Sequence, residues 1–470
     1  MMRSCALAAL LVAVGALALA GPVAAHESAP AGVVRVAQSL GDRDLTLVLT
    51  PPPSGTGSMD VAVEALDTTA AGGRPVRVGV EPAAAAGTPA DTAVVPGPVG
   101  APGRSTVALD RAGSWDVVLA DGGAVARIPL RWVDPGTPAS TWVARLAIAV
   151  AVLAGIAATT AGARRRPRLV GGLAALAAAG VAAGVTAIAL GTPAAPAAYV
   201  AGGATTGPAA APMAGMDGMA GMGGTAAMPA TGAGPVTLSA SLRPSVLALG
   251  FTDGSTGADV DDLTVHDEAF VHVAVLGQDG SEQHLHPVRV APGRWEVRFT
   301  PTAAGRYGLF AEFSRDGADH QLARTVLDVP GTPPAPAALP GPGVRDVAGM
   351  QVAVSVDGVA PGGPTRIRAE FSAGGRPVTD LQAWLGMAGH LFVLGPGRRG
   401  APDPADAATS FTHAHDMTPR AAGRGHGPEI TFTTVLPEPG RYRLWLQVLR
   451  GGSLVTVPVE LDVPGGPTGV

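Results

Sequence analysis

The strongest constraint on the fold is an internal repeat in the second half of this 470-residue chain. Each copy contains a phenylalanine, an Asp-Leu pair, an apolar segment that begins with histidine, a His-x-His pair, a Gly-Arg-Tyr triplet and a final Leu-Asp-Val. The matching residues are Phe251 and Phe371, Asp262 and Asp380, His272 and His390, His284/His286 and His413/His415, Tyr307 and Tyr442, and 327–329 and 461–463. A shared order of this kind indicates two related domains. We place them at 236–329 and 348–470, joined by a Pro-rich linker at 330–347.

A third region of alternating apolar residues precedes the repeat. Short segments such as Leu45–Leu49, Val61–Leu66 and Trp115–Leu119 are separated by proline and glycine, a pattern typical of a β-sandwich. Gly113-Ser114-Trp115 resembles the Gly-Arg-Tyr strand of the repeat. The predicted fold is therefore mainly β, with three Ig-like β-sandwich domains, at 26–138, 236–329 and 348–470, plus two transmembrane α-helices.

The membrane prediction rests on three apolar segments. Residues 1–25 resemble a signal peptide, with cleavage expected after Ala25 or Ala20, or an uncleaved anchor as the alternative. Residues 142–163 and 169–190 are each long enough to cross a bilayer, and the arginine-rich loop 164–168 between them favours a cytoplasmic position. The alternative is a pair of buried helices. We expect a protein of the cytoplasmic membrane, in contact with the lipid bilayer, with its N-terminal domain and C-terminal half extracytoplasmic.

The histidines carry the predicted chemistry. Residues i and i+2 of a strand point to one face, so His284 and His286 project together, and His413, His415 and Met417 form a second row. With His272 and His390, each copy has three candidate metal ligands, and we expect a separate site in each copy. The sole cysteine, Cys5, lies in the signal segment, so thiolate sites are excluded from the mature chain. Imidazole and thioether donors favour copper, as Cu(I) or Cu(II). Methionine should make the second copy the stronger Cu(I) binder.

Further candidate ligands lie outside the repeated positions. The Gly/Ala/Pro-rich segment 191–235 is predicted to be a flexible linker that captures Cu(I) or serves only as a spacer. His266, where the second copy has Trp384, is an accessory ligand or a structural position. His26 would chelate Cu(II) if cleavage made it N-terminal. The methionines of the linker that we consider are Met213, Met216, Met219 and Met222.

The repeat resembles a known type of domain at these residues. The segments "LGMAGHLFVL", "FTHAHDM" and "GPEITFTTVLPEPGRYRLWLQV" of the second copy, and "FVHVAVL", "QHLHPV" and "GRYGLFAEF" of the first, are similar to bacterial extracytoplasmic tandem His-x-His β-sandwich domains. That resemblance implies copper handling or copper resistance, with the six repeated histidines as ligands. Asp416 departs from the proline usual at that position.

Several function classes are excluded or disfavoured by the sequence. A formal charge of −5 without basic runs gives no basis for binding nucleic acid. No phosphate loop, zinc-protease motif or nucleophile elbow is present, so we do not expect an enzyme. The expected function is copper sequestration or delivery, with a copper transporter or other metal-handling protein as partner. The alternative is a membrane-anchored β-sandwich scaffold with structural histidines.

Overall fold

The computed structural model describes two compact units, one helical and one built of strands. The described residues are 33–50, 52, 57–66, 74–82, 92–110, 113–132, 139–163, 167–190, 198–199, 235–316, 318, 320–335, 338–416 and 425–465. The signal segment, His26, the four linker methionines and Met417 lie outside these residues, so the predictions made for them stay predictions.

The helical unit contains α1 (Ala139–Ala163) and α2 (Pro167–Leu190), which pack against each other. Both helices are rich in alanine and glycine. Gly180 permits the close approach, since a Cβ there would lie 2.8 Å from the Ala147 carbonyl oxygen. Among the described residues, no helix combines the length and the apolarity needed to cross a membrane. The two predicted helices are thus present, but their assignment as transmembrane spans, 142–163 and 169–190, is not supported.

The N-terminal β region forms two sheets, ordered β1-β2-β3-β7 and β9-β8-β4-β5, and β6 pairs in parallel with β3. Alternating buried residues of β2 face the core, as their sequence pattern predicts, whereas the last five residues of β3 are all buried. The strands are β1 (Val34–Leu40), β2 (Arg43–Thr50), β3 (Gly57–Ala65), β4 (Val76–Pro82), β5 (Thr92–Val94), β6 (Gly97–Pro98), β7 (Gly103–Leu109), β8 (Gly113–Asp121) and β9 (Ala124–Trp132), and the two-residue β10 (Ala198–Tyr199) precedes the repeat.

The first copy of the repeat has one sheet ordered β11-β12-β17-β16 and a second ordered β13-β18-β14-β15, in which β19 also pairs with β18. Phe251 of the first sheet packs edge-on against Phe313 of the second, with ring centroids 5.3 Å apart, so the sheets share one core. The strands are β11 (Val236–Arg243), β12 (Val246–Asp253), β13 (Leu263–Thr264), β14 (Val271–Gly277), β15 (Glu282–Leu285), β16 (Val288–Ala291), β17 (Arg294–Arg298), β18 (Gly305–Arg315) and β19 (His320–Val329).

The second copy repeats this plan, with sheets β20-β21-β22-β27 and β24-β28-β25-β26, where β23 pairs with β22 and β29 with β28. One continuous cluster of buried side chains fills the space between its sheets. The strands are β20 (Gly343–Val347), β21 (Met350–Asp357), β22 (Pro364–Ala373), β23 (Arg376–Pro377), β24 (Leu381–Gln382), β25 (His390–Leu394), β26 (Phe411–His415), β27 (Glu429–Val435), β28 (Gly440–Arg450) and β29 (Ser453–Val463).

The same strand order occurs three times. The order β19-β18-β14-β15 of the first copy matches β29-β28-β25-β26 of the second and β9-β8-β4-β5 of the N-terminal region. The repeated Gly-Arg-Tyr triplet anchors the central strand: the hydroxyls of Tyr307 and Tyr442 donate to the carbonyls of Ala303 and Glu438, each at 2.8 Å. The prediction of a mainly β chain with several sheets is confirmed.

The two copies pack against each other through their histidine-bearing sheets. A shared hydrophobic cluster joins Ala274, Leu276 and Phe310 of the first copy to Phe392, Leu394 and Trp445 of the second. The indole nitrogen of Trp445 donates to the carbonyl of Gly280 at 3.0 Å. This interface places β14 and β15 next to β25 and β26, the four strands that carry or adjoin the repeated histidines.

Candidate metal centre

A tight turn orients the first histidine of each copy. His266 and Ala269 form an isolated bridge before β14, and Trp384 and Met387 form the equivalent bridge before β25. The second residue of each turn has a left-handed backbone: Asp267 at φ 48° and Leu385 at φ 53°. That conformation is uncommon for a leucine and is kept only where the surroundings impose it.

The carbonyl at the start of each turn points at a histidine ring. The Nε2 of His272 lies 3.0 Å from the His266 carbonyl oxygen, and the Nε2 of His390 lies 3.1 Å from the Trp384 carbonyl oxygen. A carbonyl oxygen can only accept, so both Nε2 atoms carry the proton. In the neutral rings, both Nδ1 atoms are therefore lone-pair donors.

The second histidine of each copy faces this lone pair. The Nε2 of His284 lies 3.3 Å from the Nδ1 of His272, and the Nε2 of His413 lies 3.2 Å from the Nδ1 of His390. His284 is on β15 and His413 on β26, each paired with the strand of the first histidine. The two copies thus build the same pair of rings from the same strands.

Each second histidine is held from the opposite copy. The Nδ1 of His413 lies 2.7 Å from Glu312 Oε2 on β18 of the first copy. The Nδ1 of His284 lies 3.3 Å from Gln447 Oε1 on β28 of the second copy. Gln447 Nε2 donates to Glu282 at 2.8 Å, which turns Oε1 towards the histidine. Glu312 and Gln447 stand at the same position of the repeat, opposite the first histidine of their own copy.

In both copies, the lone pairs of two ring nitrogens therefore point at each other. In the neutral rings of His413 and His284, Glu312 and Gln447 draw the proton to Nδ1, which leaves Nε2 unprotonated. Two nitrogens bound at about 2.0–2.1 Å to one tetrahedral ion lie about 3.3 Å apart, close to the distances in both pairs. Histidines that bind metal usually donate their other ring proton to a carbonyl or carboxylate, as all four do here.

The rings of the two copies converge. Two groups of three place one ligand atom each within 4.8 Å of one another: His272 with His284 and His286, and His284 with His390 and His413. His284 belongs to both groups. The Nε2 of His286 is buried and has no hydrogen-bond partner among the described residues. His415 adds a sixth ring, with its Nε2 3.2 Å from the Nε2 of His413. We call these six residues the histidine cluster.

Burial disfavours the charged form of five of the six rings. Burial first, and then the charge of His413, lowers the pKa of His272 to about 4. Burial likewise lowers the pKa of His415 to about 3, and places those of His284, His286 and His390 well below their usual value. Aromatic side chains surround these rings and exclude water. The ring centroid of Trp384 lies 4.8 Å from that of His284 and 4.9 Å from that of His390, and Phe392 stacks on His413 with centroids 4.4 Å apart. Neutral imidazole is the form that binds metal.

Two carboxylates border the cluster. Burial would raise the pKa of Glu312, but the neighbouring charges of His413 and His320 hold it well below its usual value. For Asp267 burial also acts upward, and hydrogen bonding to His266 outweighs it, lowering the pKa to about 2. Both groups are therefore anionic at neutral pH. They supply negative charge beside the rings of the cluster.

The N-terminal β region covers one side of the cluster. The amide of Ser39 donates to the His286 carbonyl at 2.8 Å, and the Ser39 hydroxyl accepts from the His286 amide at 3.2 Å. Ala37 packs in one hydrophobic cluster with Trp384, Leu385 and Met387. β1 therefore fixes the backbone of His286 and closes the cluster beside Trp384.

The structure assembles the six repeated histidines but corrects how they are arranged. They lie together between the copies, because the histidine-bearing sheets face each other. One group of three lies within the first copy, as expected, whereas the group around His390 and His413 takes its third ring, His284, from the first copy. The ring of His266 lies outside the cluster, and its carbonyl orients His272. Met387 is part of a hydrophobic cluster. Sequence reasoning missed Glu312, Gln447 and His320, although Glu312 and Gln447 each stand seven residues after the repeated glycine, at Gly305 and Gly440.

Comparisons with known proteins add little about function. Residues 235–330 and 345–465, the two copies of the repeat, match a family described as "Domain of unknown function (DUF8832)". No curated protein matches the chain.

Solved structures similar to the chain include a variant of Salmonella alpha-2-macroglobulin, at 11% identity and a TM-score of 0.16 over 93% of this chain and 21% of that chain. E. coli alpha-2-macroglobulin matches at 12% identity and a TM-score of 0.17 over 90% and 22%. A tetra-tandem repeat from the extending region of a large adhesion protein matches at 11% and 0.16 over 92% and 74%. The chain spans about a fifth of the length of the two macroglobulins, and scores this low carry no argument.

Proposed function

We propose that this protein binds a transition-metal ion, copper before others, through imidazoles contributed by both copies of the repeat. The observation that supports this proposal is that two ring nitrogens with lone pairs face each other in each copy. These nitrogens are 3.3 Å apart between His272 and His284 and 3.2 Å apart between His390 and His413. While both rings of a pair are neutral and their opposite nitrogens donate to oxygen, no hydrogen lies between the two facing nitrogens. A cation between the two nitrogens satisfies both.

Copper is preferred because of the donors. Imidazole binds copper, zinc and nickel, and among divalent ions Cu²⁺ forms the most stable complexes with nitrogen ligands. The cluster has nitrogen donors only among the described residues, which favours Cu(II) over Cu(I). The Cu(I) preference predicted for the second copy depends on Met417 and the linker methionines, which lie outside the described residues.

The biological setting is also part of this proposal. A chain with a signal-peptide pattern suits an extracytoplasmic compartment. There, a water-excluded histidine cluster without a substrate-binding motif suits sequestration or delivery of copper, with a metal-handling protein as partner, better than catalysis. Fractionation of cells that express the tagged chain tests the compartment, and a tag found only in the cytoplasm contradicts it.

The binding test uses the purified full chain, stripped with a chelator and titrated with Cu(II), Cu(I) and Zn(II). We expect Cu(II) to bind with nitrogen superhyperfine splitting in the electron paramagnetic resonance spectrum, and His284→Gln to abolish tight binding. His426→Gln is the matched control, since His426 lies on a bridge to Leu381 rather than among the six rings. Equal affinity of the wild-type chain and His284→Gln would remove the proposal.

One observation favours a second candidate, a scaffold with structural histidines. Both ring nitrogens of His272, His284 and His390 already have polar neighbours within 3.3 Å, and the copies also share an aromatic interface. In that case the cluster would hold the copies together without an ion. Metal-independent stability, together with an absence of copper binding, would favour the scaffold.

A further inference from the structure

A second group of metal-binding side chains lies on the solvent side of the histidine cluster. His266 and His320 are both partly exposed, at 39% and 41% of their side-chain surface, and their rings lie 4.7 Å apart. Each Nε2 faces a carboxylate: His266 lies 3.1 Å from Asp267 Oδ2, and His320 lies 3.7 Å from Glu312 Oε1. None of these four side chains belongs to the two buried ligand groups.

The same two carboxylates also touch the buried rings. Asp267 Oδ2 lies 3.6 Å from the Nδ1 of His415, and Glu312 Oε2 lies 2.7 Å from the Nδ1 of His413. Each carboxylate thus stands between one exposed histidine and one histidine of the cluster. The result is two short routes of polar contacts, each running from a partly exposed histidine through a carboxylate to a histidine of the cluster.

The second copy has no such route at the equivalent positions. The repeat and the strand registers match His266, Asp267 and His320 with Trp384, Leu385 and Leu454, and Glu312 with Gln447. Trp384 and Leu385 are buried, and Leu454 packs against the same hydrophobic cluster. Three potential metal ligands in the first copy are therefore replaced in the second copy by apolar residues of a hydrophobic cluster. A requirement of the fold would appear in both copies, so the polar set is specific to this side.

We propose that His266, His320, Asp267 and Glu312 form an outer capture site for a divalent transition-metal ion, and that the ion passes from it to the histidine cluster. This inference rests on the proposed function. Mixed imidazole and carboxylate donors suit divalent copper or zinc. Exposed side chains change rotamer within nanoseconds, which allows the two outer rings to close on an ion and then release it inwards. The carboxylates offset the positive charge during the passage.

The test separates the rate of uptake from the affinity. The full chain, stripped of metal, is mixed with Cu(II) in a stopped-flow instrument, and the bound ion is later removed with a chelator. The variant is His266→Gln/His320→Gln, which keeps the His266 carbonyl that orients His272. We expect uptake and release both to slow by about tenfold or more, because both use the outer ligands, with an unchanged dissociation constant. His426→Gln is the control and should bind at the wild-type rate.

Each outcome decides one point. Wild-type uptake by the double variant overturns the capture site and leaves the proposed function intact. A weaker equilibrium affinity without slower uptake also overturns it, since the outer histidines would then belong to the binding centre itself. A wild-type chain that binds no ion overturns the capture site and the proposed function together. Thermal unfolding of the double variant near the wild-type temperature establishes that the fold is retained.

Discussion

The two copies of the repeat share a strand scaffold and differ at one corner of it, the turn that precedes the first histidine. In both, a turn with a left-handed residue presents a carbonyl to the first histidine, and a neighbouring strand presents the second. The first copy surrounds this corner with His266, Asp267 and His320, whereas the second uses Trp384 and Leu385. One copy therefore opens the cluster to charge and solvent, and the other seals it. The comparison indicates that duplication supplied two equivalent halves and that substitution made them unequal.

The partner of the second histidine differs as well. His413 faces the anionic Glu312, while His284 faces the neutral amide of Gln447, which is itself bonded to the buried Glu282. Burial raises the pKa of Glu282 to about 8, so this chain of contacts carries little charge at neutral pH. The open half of the cluster is thus also its charged half.

The largest effect that we expect is a loss of stability in acid. The pKa values of five cluster histidines, His272, His284, His286, His390 and His415, are below their usual value of 6.5. Below pH 6.5 these groups are protonated in the unfolded chain and neutral in the folded one, so unfolding takes up protons and is favoured. Each unopposed group costs about 1.4 kcal/mol per pH unit, down to its folded pKa.

Other groups oppose this trend. Carboxyls with raised pKa values, Asp44, Glu268 and Glu282, gain stability as the pH falls, but the histidines outnumber them. We therefore expect the metal-free chain to lose a few kcal/mol between pH 7 and pH 5. Thermal unfolding at several pH values measures this, and His272→Gln or His390→Gln should flatten the slope similarly. An unfolding temperature that is constant or rises towards pH 5 contradicts the neutral state of both halves.

The second effect concerns the ring that the two halves share. His284 is in both ligand groups and His415 is in neither, so His284→Gln should weaken Cu(II) binding far more than His415→Gln. The loss should exceed the roughly 10–100-fold that removal of an outer-shell partner causes, and His415→Gln should stay within about tenfold. Competition with a copper chelator measures both. Equal losses would show that the two halves bind independently.

The third effect tests the unequal partners. Glu312→Gln gives the first copy the residue of the second and should weaken copper binding about 10–100-fold, because His413 loses its anionic acceptor. The reverse change, Gln447→Glu, should not strengthen binding, since the new carboxyl would face Glu282 and cost about 1–3 kcal/mol of stability. The exposed Glu370→Gln is the control. Equal affinity of Glu312→Gln and the control would show that the charge difference has no role in binding.

The smallest effect concerns the cover provided by the N-terminal region. Ser39→Ala removes the hydroxyl that accepts from the His286 amide and donates to Asp44, and should cost about 0.5–1.5 kcal/mol of stability. Copper affinity should fall less than tenfold, since the ring of His286 keeps its other surroundings. Thermal unfolding with Ser239→Ala on the exposed face of β11 as control measures the difference. No change in stability would mean that the Ser39 hydroxyl of β1 does not stabilise the position of His286.

Much of the fold could be predicted from the sequence because strand alternation is local. The apolar segments at Leu45–Leu49, Val61–Leu66 and Trp115–Leu119 correspond to β2, β3 and β8. The predicted helices at 142–163 and 169–190 correspond closely to α1 and α2. Their assignment as membrane spans is not supported by the described residues.

The candidate site was predicted in its members and not in its arrangement. The repeat pointed to six histidines, because His-x-His spacing places two rings on one strand face. Glu312 and His413 are 101 residues apart, and they meet only because the copies dock face to face. Docking depends on apolar side chains such as Phe310 and Phe392 that look like ordinary core residues in the sequence. A comparison of the two copies position by position would have identified Glu312 and Gln447.

The crossed contacts of His413 with Glu312 and of His284 with Gln447 have an evolutionary consequence. Equivalent residues contact each other reciprocally, which is the pattern of the isologous interface in a two-fold homodimer. The chain is in this sense a homodimer whose subunits have been fused through the segment 330–342, since the end of the predicted linker, Gly343–Val347, forms β20 of the second copy. Such a linker keeps the second half at an effective concentration on the order of millimolar. Fusion also removes the requirement for identical halves. One half could therefore acquire polar, partly exposed residues beside the histidine cluster, while the other kept apolar residues at the equivalent positions.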